Sequence, residues 1–182
     1  MMKPISRILT VTTLIAFIVL APPSFGQYAG IAKYREHERN VSQHLAKLDT
    51  LDFLVLTHRE WDRLKESHAN NIVVHWPDGR KTKGLAKHVD DLKAAFAYAP
   101  DARIKAHSVK FGSRDWTCVI GEMEGTFTKP MSISHGKQIS PTRRGFKIRV
   151  CAVSHWNKKG LIDEEYLFWD NEHLMQQIGA AK

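Results

Sequence analysis

From Ala102 to Trp169 the chain reads as four successive strands. Ala102 to Phe111, Asp115 to Thr128, Gly145 to Trp156 and Leu161 to Trp169 are rich in β-branched and aromatic residues. Gly112-Ser113, a long loop at 129–144 and a turn at Asn157 to Gly160 separate them. The first half has helical spacing instead. Tyr28 to Leu48 carries an irregular apolar stripe at Ile31, Tyr34, Val41, Leu45 and Leu48, and Asp52 to Asn70 continues it through Leu54, Trp61 and Leu64. A short β-branched run, Ile72 to Trp76, stops at the turn Pro77-Asp78-Gly79. Gly84 to Tyr98 then resumes helical spacing until Pro100. Helices followed by consecutive strands predict an α+β domain with the helices gathered on one side of a mostly antiparallel sheet.

Residues 1–26 read as a secretory signal peptide: Lys3 and Arg7, an uncharged apolar run from Ile8 to Ala21, then Ser24-Phe25-Gly26 before Gln27. The apolar run is shorter than the roughly 20 residues that span a bilayer, so membrane contact is expected only through this segment if it stays uncleaved. Residues 27–50 form a helical extension and 51–182 the main domain. With Lys3 and Arg7 removed, 25 basic residues stand against 19 acidic ones, a formal charge of +6. Nucleic acid is not the expected partner. Arg144 to Val150 only partly imitates an RNA-binding strand motif, because Lys147 stands where a small residue is needed.

The two cysteines, Cys118 and Cys151, both fall in strands. A hairpin that pairs Phe127 with Phe146 sets Cys118 opposite His155 and Cys151 opposite Glu122. That is too far for a bridge, so two free, buried thiols are expected. The strands at 116–127 and 146–156 are half-apolar on both faces, which calls for cover on both: helices on one and a second subunit on the other.

Tyr166, Phe168 and Asp170 share one face of the last strand, which ends in an acid before the helical turn Asn171 to Gln177. On an aromatic wall such an acid is either a proton-transfer group with a raised pKa or the N-cap of the following helix. His75 alternates with Val74 and Trp76 and is a candidate donor or a structural histidine. Asp78 is a ligand contact or a turn former, and His68, at a helix end, a ligand contact or a partner of the helix dipole. Glu122, with Glu124, is a second acid pair or a partner for Lys147 and Arg149. No HExxH or close histidine pair marks a metal site, and no G-x-S-x-G elbow marks a serine nucleophile.

The order of elements resembles the SnoaL-like polyketide and ester cyclase family of the nuclear transport factor 2-like superfamily. Two segments carry the likeness: Ser67-His68 with Ile72 to Gly79, and Glu164 to Asp170 with Leu174 to Gly179. One departure is Pro141-Thr142-Arg143, where the family tends to carry Pro-Thr-Gly. The resemblance implies a cone-shaped α+β barrel, its curved, mostly antiparallel sheet packed on three helices of the N-terminal half, with a short C-terminal helix. It also implies a central pocket, expected to take a small organic molecule, polyketide-like or aromatic; the homodimer is expected from the second sheet face. Within that pocket it implies Asp170 as the acid/base and sets the strand of His75 along the wall, so Asp170 and His75 are the expected catalytic groups. The residues themselves offer His68, Trp76, Asp78, Glu122, Tyr166, Phe168 and Trp169 as ligand contacts. The implied chemistry is aldol-type cyclisation or isomerisation without cofactor or metal. A periplasmic binding module on the same fold is the alternative.

Overall fold

The computed structural model describes residues 25–133 and 137–181, so the stretch 1–26 expected to be a signal peptide lies outside the described residues except at its last positions. Helix α1 (Phe25–Thr50) runs into a π-helical turn (Leu51–Leu56) and, after a break, a 3₁₀ turn (Trp61–Glu66). Strands β1 (His68–His75) and β2 (Lys81–Lys83) precede helix α2 (Leu85–Phe96). Strands β3 (Arg103–Ser113), β4 (Trp116–Thr126), the short pair β5 (Met131–Ser132) and β6 (Gln138–Ile139), β7 (Gly145–Trp156) and β8 (Ile162–Trp169) follow, and α3 (Asn171–Gln177) ends the fold. Among the described residues no helix is long and apolar enough to cross a membrane.

The main sheet has the order β2-β1-β8-β7-β4-β3. Every pair is antiparallel except β1 with β8, which run parallel. This is the expected curved α+β sheet with its helices on the inner face. One expected helix is different: the stretch 52–70 breaks at Arg59, whose φ of 61° is left-handed, and β1 starts at His68 rather than Ile72. Arg59 holds the break closed by donating to the carbonyls of Thr57 at 3.0 Å and Ala102 at 2.7 Å, with its guanidinium 4.3 Å from the Phe96 ring.

Strand alternation divides the sheet into two faces. Val119, Trp156, Val74 and Ile72 point inward and are nearly inaccessible, packed with Leu48, Leu51, Val55, Leu64 and Leu92 from the helices and turns. Trp156 lies flat on His44 of α1 at 4.2 Å and donates from Nε1 to Thr117 Oγ1 at 2.8 Å, so its polar edge is satisfied in the core. A second cluster, built on Phe127, Phe146, Leu174 and Ile178, fastens α3 and the 127–144 loop to the other end.

Gly112, in the β3–β4 hairpin, lets α1 approach. A Cβ there would lie 2.6 Å from the Trp116 carbonyl oxygen and 2.9 Å from Val41 Cγ1. Gly112→Ala should therefore cost on the order of 1–3 kcal/mol by overpacking, read from urea denaturation at constant m-value.

The β4–β7 register differs from expectation by two residues. Trp116 pairs with His155, and Phe146 pairs with Gly125 rather than Phe127. The two cysteines are free, but they are half-buried on the outer face and their sulfurs lie 3.8 Å apart. The slip brings Cys118 opposite Val153 and Cys151 opposite Ile120, which makes the thiols diagonal neighbours.

Candidate functional site

The inner face of the sheet, α1, the π-helical turn and α2 line a chamber of about 80 Å³. Its walls are mostly apolar, with Leu48, Leu92, Val119 and Leu167 among them, and four ionisable side chains reach into it: Asp52, His68, His88 and Glu165. A wider groove of about 410 Å³ opens between α2, α3 and the β8 end, lined by Trp76, Asp78, Tyr98, Met123 and Trp169 among others. Phe96 belongs to both walls. The Trp76 ring reaches from His88, at 5.8 Å, to Trp169, which it meets edge-on at 6.3 Å.

Asp52 sits in the π-helical turn, a local widening that recurs at functional sites. Its Oδ2 lies 2.7 Å from His107 Nε2 on β3, and His107 Nδ1 lies 2.8 Å from Asp49 Oδ1 on α1. Lys110 then donates to Asp49 Oδ2 at 2.6 Å. The His107 side chain is 1 % exposed and Asp49 29 %, so the chain of hydrogen bonds runs from the chamber to the surface. Burial opposes a charge on His107, but Asp52 and then Asp49 outweigh it and raise its pKa. Burial also raises the Asp52 carboxyl, against the pull of His107. Asp49 goes the other way: burial opposes, and hydrogen bonds from Lys110 and His107 win.

The second group joins three elements. Glu165 of β8 is buried, with Oε2 4.0 Å from His68 Nε2 and 3.8 Å from His88 Nε2, and Ser154 Oγ donates to its Oε1 at 3.4 Å. Burial, then the nearby Asp52 charge, pushes Glu165 up to about 8. Burial pulls His68 down to about 4 and lowers His88 well below the usual imidazole range. His68 Nδ1 lies 3.2 Å from the Leu64 carbonyl oxygen. A carbonyl only accepts, so Nδ1 carries the proton and Nε2 presents a lone pair to the chamber.

The side chains singled out in the sequence are divided by this geometry. Trp76, Asp78 and Trp169 line the groove and His68 lines the chamber. His68 is not at a helix end; it opens β1 inside the core. Asp78 is also the turn residue, accepting from the Arg80 backbone and side chain at 3.0 and 2.6 Å. His75, Tyr166 and Phe168 lie on the outer face instead. His75 stacks on Tyr166 at 4.0 Å, its Nε2 2.9 Å from Glu164 Oε1, and Phe168 is exposed. Glu122 pairs with Lys147 at 2.6 Å.

Asp170 is exposed and caps α3, accepting the His173 N–H at 2.9 Å. It belongs to neither cavity wall. The face of β8 that turns inward carries Glu165, Leu167 and Trp169, one residue out of phase with Tyr166, Phe168 and Asp170. Asp170→Ala should lower stability by about 0.5–2 kcal/mol in urea denaturation while leaving ligand affinity unchanged. A loss of affinity at full stability would return Asp170 to the site.

Asp52, His88, His107 and Glu165 were not singled out by sequence, although two left a trace. Asp52 is the one charge in the apolar run Leu51 to Leu56, and His88 interrupts the apolar stripe Leu85, Val89, Leu92.

The SnoaL-like polyketide cyclase family model matches residues 47–178. The chain belongs to this family. Its members' nuclear transport factor 2-like fold is shared by solved structures of low identity. A protein from Jannaschia sp. CCS1 assigned as a SnoaL-like polyketide cyclase has a TM-score of 0.67 at 14 % identity, covering 78 % of this chain and 94 % of that one. IdmH from Streptomyces antibioticus, assigned as a polyketide cyclase, gives 0.63 at 18 %, covering 75 % and 99 %. AclR from Streptomyces galilaeus, assigned as a hydroxylase, gives 0.63 at 12 %, covering 78 % and 88 %. No curated protein matches the chain by sequence. Family membership supports small-molecule binding or cyclase-type function, whereas the likeness to AclR illustrates that this fold does not fix the reaction.

Proposed function

We propose that this SnoaL-like chain binds a small carbonyl compound in the groove, passes its reactive end into the chamber, and catalyses proton transfer of the aldol-cyclisation or isomerisation type. The observation that carries this reading is His107, joined at both ring nitrogens to carboxylates, one lining the chamber and the other half-exposed. In the cyclisation, Asp52 takes a proton from the carbon next to a carbonyl. The enolate forms a carbon–carbon bond to a second carbonyl of the same molecule, and the alkoxide left there takes the proton back. No electrons are exchanged and the proton transfer itself needs no cofactor. A positioned base of this kind contributes roughly 10²- to 10⁴-fold in rate. The outer groove has a volume ordinary for small-molecule sites, about 300–1,000 Å³, and its Trp76, Trp169 and Tyr98 rings suit aromatic or polyketide-like ligands. The direct test is NMR-detected deuterium exchange at the α-carbon of aromatic β-dicarbonyl compounds, after a thermal-shift screen for binders. Binding without exchange, in wild type and Asp52→Asn alike, favours the non-catalytic binding module.

Export to the periplasm or outside the cell is part of the proposal, supported by the basic, apolar and small-residue order of residues 1–26. So is a homodimer formed through the outer sheet face. Phe111, Phe168, Val109 and Trp116 stand there 40–59 % exposed, an apolar strip that a second copy would cover. Light scattering should give twice the chain mass for wild type and the single-chain mass for Phe111→Asp/Phe168→Asp. A wild-type monomer at micromolar concentration overturns the dimer.

A further inference from the structure

We propose that His68, His88 and Glu165 form a binding site for one divalent first-row transition-metal cation of the zinc type. The three side chains come from β1, α2 and β8, far apart in sequence, and converge on the wall of the chamber. One ligand atom from each lies within 4.8 Å of the others, and all three residues are buried. Two imidazoles and a carboxylate, with a fourth position open to a cavity, make the donor set of catalytic zinc sites, and of non-haem iron sites when further positions stay open. Metal–ligand bonds of 2.0–2.1 Å place ligand atoms about 3.3 Å apart, so side-chain rotations of about 1 Å close the present 3.8 and 4.0 Å separations.

The polar bookkeeping of the chamber points the same way. His68 Nε2 is buried and has no hydrogen-bond partner among the described residues. A stranded buried polar atom costs about 1–3 kcal/mol, and a cation at this point would satisfy it. The surroundings orient two of the three ligands as metal sites require, while His88 Nδ1 is buried with no partner among the described residues. Leu64 O and Ser67 Oγ hold His68 Nδ1, which fixes the tautomer that presents Nε2, and Ser154 donates to the Glu165 oxygen that does not face the imidazoles. The remaining coordination position opens on the chamber, where Asp52 is the other polar wall group. A cation there would polarise the carbonyl whose α-proton Asp52 removes. Only that use rests on the proposed function; the site itself does not.

The experiment is a Zn²⁺ titration of chelator-treated, full-length protein, read by competition with a chromogenic chelator and repeated with Co²⁺ to record its visible d–d bands. One equivalent should bind to wild type. Glu165→Gln and His88→Gln should each weaken that binding by more than the roughly 10- to 100-fold typical of losing an outer partner of a ligand. His155→Asn, on the outer face and paired with Asp163, should bind as wild type does. Circular dichroism confirms that each variant is folded. If Glu165→Gln unfolds, the Co²⁺ spectrum of wild type decides alone, since two nitrogens and a carboxylate give d–d bands without sulfur charge transfer. Absence of a stoichiometric site in wild type, or binding that survives both substitutions, overturns the proposal. The two proposals fail separately: α-deuterium exchange by the metal-free protein supports the function whatever the titration shows, and tight zinc binding without exchange supports the site alone.

Discussion

Asp52→Asn should reduce turnover of any compound the wild-type protein deuterates or cyclises by roughly 10²- to 10⁴-fold, the usual contribution of a positioned general base. Asn keeps the shape and can still hydrogen-bond to His107, so the chamber should remain intact and ligand affinity should change little. The loss should appear in kcat rather than KM, because a base acts on the transition state and not on ground-state binding. Asp170→Asn is the internal control. Asp170 caps α3 through the His173 N–H and belongs to neither cavity wall, so its substitution should leave kcat within about twofold while lowering stability slightly. Equal activity in wild type and Asp52→Asn, with loss in Asp170→Asn, would move the chemistry to the groove end and reverse the assignment.

His107→Gln should destabilise the fold by about 3–5 kcal/mol near pH 6, because it leaves the buried Asp52 carboxylate without its cation, whereas Asp49 keeps Lys110. The charged groups facing His107 are Asp49 of α1, Asp52 of the π-helical turn and, through Asp49, Lys110 of β3; Phe53 packs on the ring at 4.7 Å. The folded-state pKa of His107 lies above its unfolded value of about 6.5, so the native state holds the proton more tightly. The stabilisation is therefore complete below that unfolded value and is lost as pH rises through the folded one. Urea denaturation of wild type and His107→Gln between pH 6 and 9 should show the difference shrinking toward alkaline pH. A difference independent of pH would mean that His107 is neutral in the fold, and that the bond between the carboxylates carries no charge.

Much of the fold was legible because its signals are local. The four long strands begin and end within a few residues of their sequence-based limits, since β-branched density and the turns at Gly112-Ser113 and Asn157 to Gly160 need no tertiary information. The helix expected over 52–70 failed at Arg59, whose left-handed backbone is held by carbonyls as distant as Ala102, contacts no local pattern announces. The β4–β7 register slipped by two residues for a different reason. A shift of two leaves every side chain on its original face, so the hydrophobic pattern cannot detect it, and the long loop at 127–144 does not fix it.

The site was less legible, and β8 shows why. Both faces of that strand mix acids with aromatics: Glu164, Tyr166 and Phe168 on one, Glu165, Leu167 and Trp169 on the other. The sequence by itself determined that this strand ends in an acid before a helix, that an α+β sheet precedes it, and that the chain resembles SnoaL-like cyclases. Only the tertiary structure decided which face turns inward, through the parallel pairing of β1 with β8 and the packing of α1 and α2 over one side. Burial raises the pKa of an acid only on the enclosed side, so the same decision left Asp170 a helix cap in solvent and gathered Asp52, His68, His88 and Glu165 around the chamber. Periodicity specifies two faces equally well; long-range packing chooses between them.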